Sequence, residues 1–174
     1  MIHETVKIGH GTKIGSGVVI DELVTIGDNC FIGHNVVIRD RVFIGRGVTI
    51  GHLCSIESDT TIGDMTTIQN QCYITKGVTI GKMVFVGPCV VTTNEQHISK
   101  FRPLMEQVLE GPVIGDYARI GARALILPGV KVGSHAMIGA GCVLTKDVDD
   151  YEKWVGPQAK CIGKVTKEET VLVK

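Results

Sequence analysis

Branched aliphatic residues recur at every sixth position through the first ninety residues: fourteen isoleucines from Ile2 to Ile80, then Val86. A compact residue stands two places before most of them, among them Val18, Cys30, Val36, Thr60 and Cys72. Glycine follows directly at 9, 15, 27, 33, 45, 51, 63, 81 and 87. A period of six fits neither the 3.6-residue helix nor a lone hairpin. It predicts a solenoid in which each hexad is one short strand and one corner, three hexads making an eighteen-residue coil. Alternation along a strand sends both the aliphatic and the compact residue inward. The glycine is expected to relieve crowding where the chain turns, and stacked coils to pair in parallel about 4.8 Å apart. Isoleucine and valine suit such stacking because their χ1 freedom is small.

The pattern breaks once. Thr92 stands where the next aliphatic residue is due, and residues 93–111 carry no hexad. The repeat resumes at Ile114 and passes through Ile120, Ile126, Val132, Ile138 and Leu144. The expected fold is therefore all-β: a parallel β-helix of about seven coils over 1–92 and 112–146, with one long loop insertion at 93–111. A short C-terminal cap is expected over 147–174, covering an otherwise open pairing edge. The whole chain, 1–174, reads as a single hexapeptide-repeat domain. A loop of that length in a regular solenoid is uncommon unless it is functional. Leu104–Leu109 is expected to form a helical turn after Pro103.

Eighteen basic against eighteen acidic residues leave no net charge. Neither nucleic acid nor an anionic membrane is favoured as a partner on that basis. No apolar run approaches twenty residues and the N-terminus lacks a leader pattern, so a cytoplasmic protein is expected. Of six cysteines, Cys30, Cys54, Cys72 and Cys142 fall on the compact inward position, so they read as small core residues. Their spacing is that of neither a metal site nor a disulfide framework. The flat faces of a bare solenoid offer no pocket, which directs attention to the insertion and its polar run Asn94-Glu95-Gln96-His97.

The runs IQNQCYITKGVTIGKMVFVGPCVVTTNEQ (68–96) and PVIGDYARIGARALILPGVKVGSHAMIGAGCVLTKDV (112–148), followed by WVGPQAK, resemble the hexapeptide acyltransferases. The similarity is greatest to N-acetyltransferases acting on an amino sugar carried by UDP or dTDP, and it extends over almost the whole chain. It implies a left-handed helix and a homotrimer with active sites between subunits. It implies acetyl-CoA as co-substrate, a small-molecule sugar nucleotide as acceptor, and no metal. By the same resemblance the pantetheine arm would pass Gly121, Ala122, Gly139 and Ala140, with Lys146 and Lys160 at the CoA phosphates. Asn94 matches the asparagine of the family's TN motif, which either positions the amine or bonds the carbonyl oxygen. Gln69 and Asn70 match its QN pair and, with Glu95 and Arg102, are expected at the acceptor.

His97 is the candidate general base, having a reference pKa near 6.5. Nucleotide-sugar N-acetyltransferases often lack a side-chain base, whereas hexapeptide O-acetyltransferases rely on a histidine, so both mechanisms stand open. The chain departs from the family where Pro-Arg becomes a later Arg102-Pro103 and where VGNPAK becomes VGPQAK, at 155–160. A γ-type carbonic anhydrase shares the prism, but it needs three histidines about one metal. The six histidines here lack its pair separated by four residues; His34 and His52 lie one coil apart and are expected to stack on one corner.

Overall fold

The structure, a computed structural model, describes residues 1–98 and 100–156. The described residues form twenty-two strands, each two residues long, in three parallel sheets, the faces of a left-handed β-helix. The first face runs from Lys7–Ile8 to Lys131–Val132, the second from Lys13–Ile14 to Lys153–Trp154, and the third from Val19–Ile20 to Val143–Leu144. Ile8 pairs with Ile26 and Ile26 with Ile44, so one coil is eighteen residues. Ile20, Ile26, Ile32 and their successors through Ile138 are almost wholly buried in one continuous core.

Each hexad is tied to the next coil by backbone hydrogen bonds, as where Lys7 N–H donates to Val24 O and Gly9 N–H to Ile26 O. Polar compact residues serve the same stacking. Thr66 Oγ1 donates to Gly81 O at 2.7 Å, and the thiols of Cys30, Cys54 and Cys72 reach Gly45 O, Gln69 O and Gly87 O at 3.0–3.2 Å. The Cys54 sulfur beside it, and then burial, push the Cys72 thiol up, which keeps Cys72 a protonated donor of the core.

At the corners the glycine after each aliphatic residue relieves crowding against the next coil, as expected, while the turn conformation itself lies elsewhere. The left-handed conformation falls two places later, on residues as different as Asn29, Arg41, Leu53 and Met83, all at φ 54–59°. The first glycine is needed for close approach: a Cβ on Gly63 would stand 2.6 Å from Gly81 C and Lys82 N. Left-handed geometry disfavours a branched side chain, whereas asparagine tolerates it. Leu53, exposed at φ 59°, is thus a strained choice. Leu53→Asn is expected to raise stability by about 0.5–1 kcal/mol, read from the shift in urea midpoint.

Glycine also distinguishes the corners. It precedes the turn throughout the corner between the first and second faces up to Gly133, and in the next corner up to Gly139 except at Gln69. The corner between the third and first faces carries Asp21, Arg39, Glu57, Thr75, Thr93 and Leu127 there instead. That corner bears an exposed ion ladder, with Asp21–Arg39 at 2.9 Å, Arg41–Asp59 at 2.6 Å and Asp59–Lys76 at 3.3 Å. The Arg41 guanidinium holds the Asp59 carboxyl below the usual range.

At the C-terminal end the coil continues beyond position 146. Val148 bridges to Val132, and Lys153–Trp154 pairs with Met137–Ile138, sixteen rather than eighteen residues on. The two-residue shortening hides this eighth turn from a strict period of six. No helix forms at 104–109; a single turn closes at Met105 N–H to Arg102 O, 3.0 Å. Among the described residues no helix is long and apolar enough to cross a membrane.

Candidate active site

Thr92 is where the chain leaves the coil, and its hydroxyl explains how. Tyr73 pairs with Val91, but the next pair of that rung, Ile74 with Thr92, is not made. The Thr75 N–H, whose counterparts donate to a backbone carbonyl, donates to Thr92 Oγ1 at 2.8 Å instead. A side-chain oxygen thus replaces the diverted carbonyl, and Thr92 remains fully buried. Above it Thr92 still pairs with Ile126.

The insertion departs from the corner between the third and first faces. Its base is a short antiparallel pairing, Glu95 with Leu109, closed by Glu110 N–H to Asn94 O at 2.7 Å. Asn94 Nδ2 also donates to Lys76 O, at 3.3 Å. Consecutive strands from Lys7–Ile8 to Val143–Leu144 begin six residues apart except here, where Val91–Thr92 and Val113–Ile114 begin 22 apart. Beneath the insertion lies a cavity of about 470 Å³ against the third face, with Tyr73, Thr75, Asn94, Glu95 and Leu127 among its walls. Tyr73 was not singled out by sequence, since it occupies an ordinary outward strand position. Burial, and then Glu57, raise its phenol above the ordinary range, so it is a neutral hydroxyl there.

The proposed acceptor residues do not all gather here. Asn94 and Glu95 line the cavity; His97 is exposed and does not. Arg102 lies half-buried farther along the insertion, where its guanidinium donates to Lys100 O at 3.3 Å. Gln69 and Asn70 sit on the corner between the second and third faces, across the third face from the insertion. Gly121, Ala122, Gly139 and Ala140 occupy that same corner two and three coils above Asn70. Lys146 is exposed near the end of the third face, and Lys160 lies outside the described residues.

This second corner is read by its side chains. Ser16 N–H donates to His34 Nδ1, His34 N–H to His52 Nδ1, and His52 N–H to Asn70 Oδ1, each at 2.8 Å. The His34 and His52 rings stack, centroids 5.1 Å apart. Because each Nδ1 accepts a hydrogen bond from a backbone N–H, the ring's own hydrogen sits on Nε2, where a metal would have to bind; the pair is a structural ladder. Among the described residues no group of three His, Cys, Asp or Glu is placed to hold a metal. The capping ladder stops above Asn70, where Pro88, Ala122 and Ala140 follow. Gly121 has a structural reason of its own, since its Cβ would lie 2.4 Å from Ala140 N.

A second depression, about 650 Å³, opens at the N-terminal end beside Glu4, Asp21, Glu22 and Asp40. Its carboxylates oppose any phosphate-bearing ligand.

Over 87 residues the chain is 38% identical to a putative acetyltransferase of Schizosaccharomyces pombe, covering 49% of this chain and 42% of that one. Over 59 residues it is 42% identical to a chloramphenicol acetyltransferase of Escherichia coli, covering 34% and 28%. The matches thus span less than half the length of these relatives. Two solved structures share the fold. A hexapeptide-repeat acetyltransferase from Vibrio cholerae superposes with a TM-score of 0.54 at 24% identity, over 68% of this chain and 74% of that one. The polySia specific acetyltransferase NeuO superposes with 0.58 at 21% identity, over 99% and 82%. Residues 1–100 match the sequence model of the GMPPB C-terminal domain, and residues 111–146 that of the bacterial transferase hexapeptide (six repeats). The chain belongs to the family of the GMPPB C-terminal domain, within the hexapeptide-repeat acyltransferase superfamily.

Proposed function

We propose that the protein transfers an acetyl group from acetyl-CoA to the amino group of a nucleotide-linked amino sugar. The observation that carries this is the pairing of two features on opposite edges of the third face. One edge bears the insertion, with Asn94 and its cavity; the other bears Ala122 and Ala140 on the upper coils, where lower coils place capping side chains. An extended pantetheine arm needs a track without projecting side chains, and this corner offers one. Six residues separate Ala122 from Pro128, so the edges are at most about 20 Å apart along the chain. A site using both is completed by a neighbouring prism, and we place it between adjacent subunits of a homotrimer. The named acetyltransferases among its relatives support the donor.

In the reaction the amine lone pair attacks the thioester carbonyl carbon. A C–N bond forms, the oxyanion collapses, the C–S bond breaks, and CoA leaves as the thiolate. The ammonium proton of the intermediate ends on the thiol, so amide and free CoA are the products. Asn94 would hold the amine or the carbonyl oxygen in line. Glu95 and Arg102 would contact the acceptor. Gln69 and Asn70, on the corner that bears the arm, would meet the acceptor from the neighbouring subunit, and Lys146 and Lys160 would face the CoA phosphates. His97, exposed on the insertion, is the base only if the amine must be deprotonated by a side chain.

Release of free thiol from acetyl-CoA, measured across UDP- and dTDP-linked amino sugars, tests the reading. His97→Ala is expected to retain activity within about threefold, because amine attack needs no strong base once the amine is neutral. A loss of a hundredfold with acetyl-CoA binding unchanged would favour the histidine-dependent O-acetyltransferase instead. Failure of every amino sugar in the panel would remove the acceptor assignment.

A further inference from the structure

The cavity beneath the insertion has walls of unequal character. Tyr73, Leu127 and Pro128 give it an apolar side; Thr75, Asn94 and Glu95 give it a polar one. Glu95 is its one ionisable carboxylate, and no lysine or arginine is among its described lining residues. Lys76, on the same corner, directs its ammonium to Asp59 at 3.3 Å. A diphosphate placed here would surrender its hydration without a cation to replace it. A ring with one apolar face, hydroxyl groups on its edge and an amine meets the opposite situation. Tyr73 and Leu127 would cover the apolar face, Asn94 and Thr75 would meet hydroxyls, and Glu95 would favour an ammonium before it loses its proton.

We infer that this cavity seats the amine-bearing ring of the acceptor, that Tyr73 sets its specificity by covering that ring's apolar face, and that the nucleoside diphosphate stays outside. The inference rests on the transferase reading for its biological meaning, but the cavity's chemistry can be tested without turnover. Tyr73 is 42% exposed, so truncating it leaves the core intact.

The full chain, labelled at tyrosine and leucine, is titrated separately with a free aminohexose and with UDP while NMR signals of Tyr73 and Leu127 are followed. The aminohexose is expected to shift both signals and UDP to leave them in place. In turnover, Tyr73→Ala is expected to raise the acceptor KM about tenfold with the acetyl-CoA KM within twofold, and Tyr73→Phe to behave as the parent, because the ring rather than the hydroxyl makes the contact. Equal shifts from UDP, or an acceptor KM unmoved by Tyr73→Ala, would overturn the inference. Aminohexose binding at Leu127 with no acetyl transfer to any acceptor would uphold the cavity assignment and sink the transferase reading.

Discussion

Gly63→Ala is expected to lower stability by about 3 kcal/mol or more, at the upper end of what overpacking usually does. The added methyl would stand 2.6 Å from Gly81 C and Lys82 N and 2.8 Å from Gly81 O. Those are backbone atoms of the next coil, so no rotamer change relieves the clash. The coils must separate locally, which stretches Gly63 N–H to Ile80 O, now 2.8 Å. Gly77→Ala provides the contrast. Gly77 has φ 77°, but its nearest other atom is Gly111 N at 3.9 Å, so alanine there meets only backbone strain, about 1 kcal/mol. Urea denaturation of the two variants separates the causes. Equal losses would mean that neither the close approach nor the turn conformation is the governing constraint.

The six-residue period placed the core residues correctly from Ile20 onward, because inward orientation depends only on alternation along each strand; Ile2 and Ile8, in the open first coil, are exposed. The period could not assign the turn, because the left-handed position is filled by Leu23, Arg41, Asp59 and Met83 as readily as by glycine. A period of eighteen carries more. Read by coils, Asp21, Arg39, Glu57 and Thr75 mark one corner as exempt from the glycine requirement, and that is the corner from which the insertion departs. The exemption was visible in the spacing and needs only the longer period to be seen.

The candidate site divides along the same line. Asn94 and Glu95 were legible because Thr92 interrupts the hexads and polar residues follow at once. Tyr73 was not, because nothing about its own hexad is irregular; it reaches the insertion only because its strand stacks beneath Val91. Gln69 stands out with Asn70 as a match to the family's QN pair, and within this chain its own signal is that it replaces glycine in a glycine column. The eighth turn escaped because Trp154 pairs sixteen residues from Ile138, a shift that a strict count rejects.

Ala140→Asn is expected to stabilise the fold slightly while raising the acetyl-CoA KM about thirtyfold, close to the penalty for forcing extra atoms into a filled space. Asn70 Oδ1 takes the N–H of His52, eighteen residues before it, at 2.8 Å. Asparagine at 140 stands in the same relation to Ala122 on the same corner, so it extends the ladder by one hydrogen bond worth about 1 kcal/mol. The same side chain would then project into the track that Ala122 and Ala140 leave open. Opposite signs for stability and donor affinity separate an occupied site from a disturbed fold, since misfolding lowers both. Ser134→Asn is the control, at the equivalent place on the corner between the first and second faces, where no carrier is placed; there the donor KM is expected to stay within twofold. If Ala140→Asn stabilises the protein and leaves the acetyl-CoA KM unchanged, the pantetheine arm does not run along this corner, and the donor must approach the Asn94 cavity from another face.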